Sequence, residues 1–178
     1  MAEYGKANRN IRIRETVLMG LLFALAMVLS YVESMFTVPG LPPGVKLGLS
    51  NIVTMYCVFF LGWKKGYTLA ILKGFFAFLT RGATAALMST AGGVVSVTVM
   101  LILIYLKRLK FSYTLISVLG ALGHNFGQLA MASVLMHSTF VIYYMPIMAV
   151  SGIGMGVATG ILLGVMLPYM NKLKLAQQ

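Results

Sequence analysis

Residues 83–110 read ATAALMSTAGGVVSVTVMLILIYLKRLK. Residues 83–106 of this stretch carry no charge, and Lys107, Arg108 and Lys110 follow at once. A helix over 83–106 is roughly 36 Å long at about 1.5 Å per residue, enough to cross a hydrocarbon core of about 30 Å. The basic cluster then marks a water interface, where Lys and Arg gather on the cytoplasmic side. This stretch sets the solvent for the whole chain: the expected environment is a lipid bilayer.

The remainder follows the same grammar. Apolar blocks run from about Thr16 to Tyr31, Leu47 to Leu61, Tyr67 to Leu79, Ser112 to Met136 and Phe140 to Met170. With the block at 83–106 they make six expected spans, so the predicted fold is an all-α integral membrane bundle forming one transmembrane domain over 1–178. Its extremities are a basic N-terminal stretch, 1–15, and a tail, 171–178. The composition agrees: 60% of the 178 residues are hydrophobic and only 10% charged, with a mean hydropathy of +0.92. A soluble domain of this size needs more charge to cover its surface. The short alternating segments of a membrane barrel are absent from the pattern. The first apolar block lacks a small-x-small cleavage pattern, so it reads as a helix that stays rather than a signal peptide.

The net charge of +11 raises the question of nucleic acid. The basic residues instead flank apolar blocks, the distribution of a membrane protein, so no nucleic-acid partner is expected. With the N-terminus inside, the cytoplasmic segments hold four, two, three and two Lys or Arg residues, eleven of the fourteen in the chain. The other three are Lys46, Lys73 and Arg81. That asymmetry predicts both termini in the cytoplasm and a multi-pass protein of the cell membrane.

Packing signals are present as well. Gly152, Gly156, Gly160 and Gly164 repeat every fourth residue, a small-residue ridge against which another helix can lie closely. Ala91, Gly92, Gly93 and Ser96 do the same in the fourth block. Gly20 and Ala24 form a shorter version in the first, where contact with a second protein is an open alternative to packing within the bundle. The single cysteine, Cys57, excludes an intrachain disulfide.

Polar side chains inside a bilayer are costly and therefore informative. Lys73 sits in the middle of the third block. Either it snorkels to an interface, or its ammonium faces a polar cavity and meets an anionic ligand. Arg81, two turns on, either closes the mouth of that cavity or anchors the helix at the interface. His124, Asn125 and Gln128 put a polar patch in the fifth block, with 124 and 128 on one face; interhelical hydrogen bonding is the structural alternative. Lys46 and Asn51 lie where an irregular Pro/Gly segment, 38–44, joins the second block. Glu33, at the other end of that segment, is a candidate partner for Lys46. Such a rigid connector suits a lid over a pocket, and a plain tight connection is the simpler reading.

Catalytic apparatus is not expected. The whole chain has three acidic residues, Glu3, Glu15 and Glu33. No carboxylate pair or Asp-rich motif can hold magnesium for diphosphate chemistry. The two histidines, 124 and 137, lie more than three turns apart with no Cys or carboxylate beside them, so neither a metal nor a cofactor is expected. A Gly-rich phosphate loop with its lysine is also missing.

Four stretches carry a resemblance: Glu33-Ser34-Met35-Phe36 with Pro43-Gly44-Val45-Lys46-Leu47-Gly48-Leu49-Ser50-Asn51-Ile52-Val53-Thr54; Ser89-Thr90-Ala91-Gly92-Gly93; Gly120-Ala121-Leu122-Gly123-His124-Asn125-Phe126-Gly127-Gln128; and Ser151-Gly152-Ile153. In that order they resemble the Gx transporter family, also labelled heptaprenyl diphosphate synthase component I. That family is similar to the S components of energy-coupling factor (ECF) transporters, six-helix membrane proteins that capture a vitamin-like molecule outside the cell. The resemblance implies a substrate-binding subunit energised by a separate coupling protein and an ATPase pair. It also implies a gating loop over 36–46 and docking of the coupling protein on Gly20 and Ala24, where this chain has Gly/Ala in place of a double alanine. The expected function is thus uptake of a small anionic vitamin, flavin, or quinone or isoprenoid precursor, without enzyme activity. Lys46, Asn51, Lys73, Arg81, His124, Asn125 and Gln128 are the candidate ligand contacts, with membrane lipid around them. The alternative is a membrane scaffold in quinone, isoprenoid, flavin or extracellular electron-transfer systems that transports nothing.

Overall fold

The computed structural model of the chain describes residues 2–35, 49–106 and 111–175. Every element among them is helical: α1 (Ala2–Met35), α2 (Asn51–Leu61), α3 (Trp63–Arg81), α4 (Ala83–Tyr105), α5 (Tyr113–Met136), a 3-10 segment (Thr139–Tyr144) and α6 (Met145–Leu175). Lys46 and the expected gate at 36–46 lie outside the described residues. Several boundaries differ from the sequence expectation: α2 begins at Asn51 rather than near Leu47, and α3 runs from Trp63 to Arg81 rather than from 67 to 79. The first helix does not start at the apolar block; it includes the basic stretch from Ala2 onward. The sixth block is not one helix from Phe140, because Thr139–Tyr144 winds as a 3-10 segment and α6 begins only at Met145. Ser138 accepts a bond from the Phe140 N–H at the head of that segment, and α5 closes just before it on His137, at φ 47°.

Helices α2, α3 and α4 are joined by single residues. Gly62 (φ 90°) and Gly82 (φ 86°) make the two reversals. A Cβ at either would meet nothing within 4 Å. The requirement for glycine is therefore conformational, since side-chain-bearing residues rarely adopt those dihedrals.

Small residues then decide which helices meet. A Cβ on Gly93 would lie 2.8 Å from Ala70 Cβ on α3, and one on Gly127 would lie 2.9 Å from the Ala91 carbonyl on α4. Helix α4 is thus pressed between α3 and α5. The ridge on α6 is applied to α5: a Cβ on Gly156 would approach Val118 Cα to 2.5 Å, and one on Gly160 would approach Thr114 Cα to 2.5 Å. Gly152 faces Asn125 and Leu122, whereas Gly164 meets nothing. Close backbone approach of this kind drives helix association where there is no hydrophobic force. Helix α1 is the exception, since among the described residues its backbone comes close to α2 and α3 alone.

Among the described residues, four segments are long and apolar enough to cross a bilayer: Ile13–Glu33, Ala83–Tyr105, Tyr113–Met136 and Thr139–Val165. Helix α2, of 11 residues, is short for a span on its own, and α3 carries Lys64, Lys65, Lys73 and Arg81. Large apolar side chains such as Leu21, Phe75, Leu79, Val134 and Val150 point outward on several helices. A surface of that character is normal in lipid and a liability in water. The chain is a multi-pass, all-α membrane protein.

Candidate functional site

Helix α2 begins late and is short, and this places polar groups at depth. Asn51 opens α2, ten residues from its end at Leu61; Lys73 lies ten residues beyond Trp63 on the antiparallel α3. Both therefore sit about 15 Å from the tight Gly62 turn. There the Lys73 ammonium donates to Asn51 Oδ1 at 3.0 Å and to Thr54 Oγ1 at 3.1 Å. Lys73 is only 6% exposed, Asn51 8% and Thr54 1%. Lys73 thus does not snorkel. It is held inward by one face of α2, because Asn51 and Thr54 are three residues apart and share that face.

Helix α5 supplies the second half. His124 and Gln128, one turn apart, bring their Nε2 atoms to 2.7 Å. With the Gln128 amide N–H donating, His124 Nε2 accepts, the ring is neutral, and its proton resides on Nδ1. Gly92 of α4 makes room for the pair: a Cβ there would lie 2.8 Å from Gln128 Cγ and 3.0 Å from His124 Cε1. His124 is also within electrostatic reach of Lys73. The structure thus shows two buried polar groups, Lys73 with Asn51 and Thr54 between α2 and α3, and His124 with Gln128 on α5 against Gly92 of α4.

Asn125 belongs elsewhere. Its Nδ2 donates to the Met148 carbonyl of α6 at 2.6 Å, and Ser151 Oγ donates to the same carbonyl at 3.0 Å. Its Oδ1 is buried without a hydrogen-bond partner. Asn125 thus ties α5 to α6. Arg81, at the end of α3, is half-buried and within electrostatic reach of Glu33, which is 4% exposed at the end of α1.

Gly20 and Ala24 are both exposed on α1, and a Cβ on Gly20 would meet nothing within 4 Å. Beside them, between α1 and α3, runs a groove of about 520 Å³ lined by Met19, Gly20, Phe23 and Leu72 among others. The Glu15–Lys65 ion pair lies in the same groove. Among the described residues no cluster of His, Cys, Asp or Glu has the make-up of a metal site.

Sequence reasoning missed three contributors: Thr54, the Gly92 recess and the Met148 carbonyl. Only the spacing of Asn51 and Thr54 signalled the first. The recess and the carbonyl are properties of packing.

Comparison with known proteins bears on the fold and the family. The family described as heptaprenyl diphosphate synthase component I matches over residues 22–166. A solved structure, the S component of a bacterial ECF transporter, is similar over 94% of this chain and 99% of its own, with a TM-score of 0.55 and 18% sequence identity. At that identity the likeness concerns the fold. No functionally curated relative matches the chain.

Proposed function

The chain belongs to the heptaprenyl diphosphate synthase component I family, and from that premise we propose that it is a membrane-embedded substrate-binding subunit that captures a small anionic molecule for uptake. The observation that carries this reading is the Lys73 ammonium, buried inside the helix bundle against Asn51 and Thr54. A lysine at this depth costs several kcal/mol unless it is compensated, and intramembrane cations that persist usually serve a ligand or ion. The His124–Gln128 pair supplies neutral groups to orient such a molecule, while methionine and aromatic side chains offer an apolar wall. The S-component fold of the solved relative accords with this role.

In this reading both termini are cytoplasmic, all six helices form the membrane bundle, and the ligand enters from the outer end, where α1 and α3 finish. Arg81 stands at that mouth, Lys46 adds a second cation, and residues 36–46 form the gate. Energy comes from a separate ATPase pair through a coupling protein that docks on the Gly20 and Ala24 face of α1. The word synthase in the family description does not define the chemistry of this subunit. Only three carboxylates exist in the chain, and one of them, Glu15, is paired with Lys65.

Native mass spectrometry of the gently purified protein tests the proposal. A retained anionic metabolite of a few hundred daltons supports it. A protein holding only lipid, together with a stoichiometric redox or prenyl-synthase partner, replaces it with the scaffold reading. The exposed Gly20 and Ala24 face serves that second reading equally well, since it is a surface for a partner in both.

A further inference from the structure

The groove between α1 and α3 changes character along its length. On α1 its lining runs from Glu15 to Gly20 and Phe23, and on α3 from Lys65 and Thr68 to Leu72. Both helices start it polar and end it apolar, over roughly 10–12 Å of helix axis at about 1.5 Å per residue. The polar end has the marks of the head-group level of a bilayer. Trp63 and Lys64, both exposed, directly precede Lys65, with the Lys64 ammonium 5.4 Å from the Trp63 ring centroid. Arg14, also exposed, directly precedes Glu15. Tryptophan and basic side chains collect at that level.

The Lys65 ammonium and the Glu15 carboxylate meet across this polar end, at 29% and 46% exposure. An ion pair so open to solvent is weak and parts at little cost. Its complement is a second ion pair turned the opposite way: a phosphate for Lys65 and an ammonium for Glu15, each gaining a charge-assisted hydrogen bond. A purely anionic head group satisfies the lysine alone and sets its phosphate near the carboxylate. A trimethylated head group has no N–H to donate. At the apolar end Gly20 leaves room, since a Cβ there would meet nothing within 4 Å, and Phe23 and Leu72 offer a wall to hydrocarbon. We propose that this groove binds a phospholipid whose head group carries both a phosphate and a primary ammonium, a phosphatidylethanolamine of the adjoining leaflet. The ion pair reads the head group, and the apolar end takes the first carbons of its acyl chains while the rest stay in the bilayer. The site uses none of the Lys73 contacts and stands or falls apart from the substrate-binding reading.

In the test, the purified full-length chain is offered an equimolar mixture of phosphatidylethanolamine, phosphatidylcholine and phosphatidylglycerol with identical acyl chains. Retained lipid is read by native mass spectrometry. The wild type is expected to hold the ethanolamine lipid at least threefold over either of the others. Glu15→Gln removes the partner of the lipid ammonium and should cut the lead over phosphatidylglycerol at least threefold. Gly20→Trp fills the apolar end and should lower retention of the ethanolamine lipid at least threefold, which places the readout in this groove. Should Glu15→Gln not fold, Lys65→Gln removes the partner of the phosphate and should lower that retention by the same factor. A smaller wild-type lead, or a lead for another lipid, overturns the proposal, and so does a smaller change in either the head-group variant that folds or Gly20→Trp. A wild type that holds a stoichiometric protein partner and no lipid gives the groove to that partner and overturns the proposal as well.

Discussion

At the scale of single residues, Lys73 and Thr54 show what membrane depth does to legibility. Lys73 and Asn51 stand out in the sequence because a charge or amide in an apolar block demands a reason. Thr54 does not, because a threonine in a membrane helix commonly bonds its own preceding turn. Thr80, Thr90, Thr98 and Thr159 all do so here, to the carbonyls of Phe76, Ala86, Val94 and Met155. Thr54 instead accepts from Lys73, a contact fixed by the α2–α3 turn. Asn125 stands out in the sequence as well, and the structure turns it to α6. Consecutive helical residues point about 100° apart, so its neighbour His124 meets α4 while it meets α6. Lys73→Ala should weaken ligand retention at least tenfold in native mass spectrometry, and a change under twofold removes Lys73 from the site. Thr54→Val removes one acceptor of the Lys73 ammonium and should cost about 0.5–1.5 kcal/mol of binding, or roughly two- to tenfold in affinity.

At the scale of elements, the glycine ridge of α6 was legible from its spacing, and the structure adds its partner, α5. The contacts rank the glycines. Gly160→Val forces a side chain onto the Thr114 backbone and should lower stability by about 1–3 kcal/mol, read as a fall in thermal midpoint in detergent. Gly154→Ala meets open space and should be neutral to about 1 kcal/mol stabilising, since alanine is the better helix former. Equal losses at both positions would contradict this account of α5–α6 packing. The 3-10 segment Thr139–Tyr144 escaped notice because hydropathy cannot tell a tight turn of apolar residues from the start of a helix. Its exposed Phe140 and Tyr143 stack with ring centroids 6.0 Å apart, on a segment the sequence reads as plain apolar.

At the scale of the whole molecule, charge asymmetry and apolar blocks made the all-α membrane class readable, while the order of contacts was not. The docking expectation belongs here. Gly20→Leu together with Ala24→Leu should abolish co-purification of a coupling protein without lowering ligand retention, because both positions face outward. Loss of ligand with partner retained would reverse the assignment. The Glu15–Lys65 pair, by contrast, is partly solvent-exposed, and Glu15→Gln should change stability by less than about 1 kcal/mol.

Helices α3 to α6 pack each on the next in one continuous series, whereas among the described residues the backbone of α1 approaches α2 and α3 alone. Between α1 and α6 lies a carbon-lined gap of about 220 Å³ bordered by Leu22, Leu25, Val53 and Leu163 among others. A helix seated this way has the least to lose by departing. In hydrogen–deuterium exchange its backbone amides should lose protection ahead of those of α4 and α5, as a separate cooperative unit. The protein then behaves as a stave that can lean away from a barrel whose other staves stay bound.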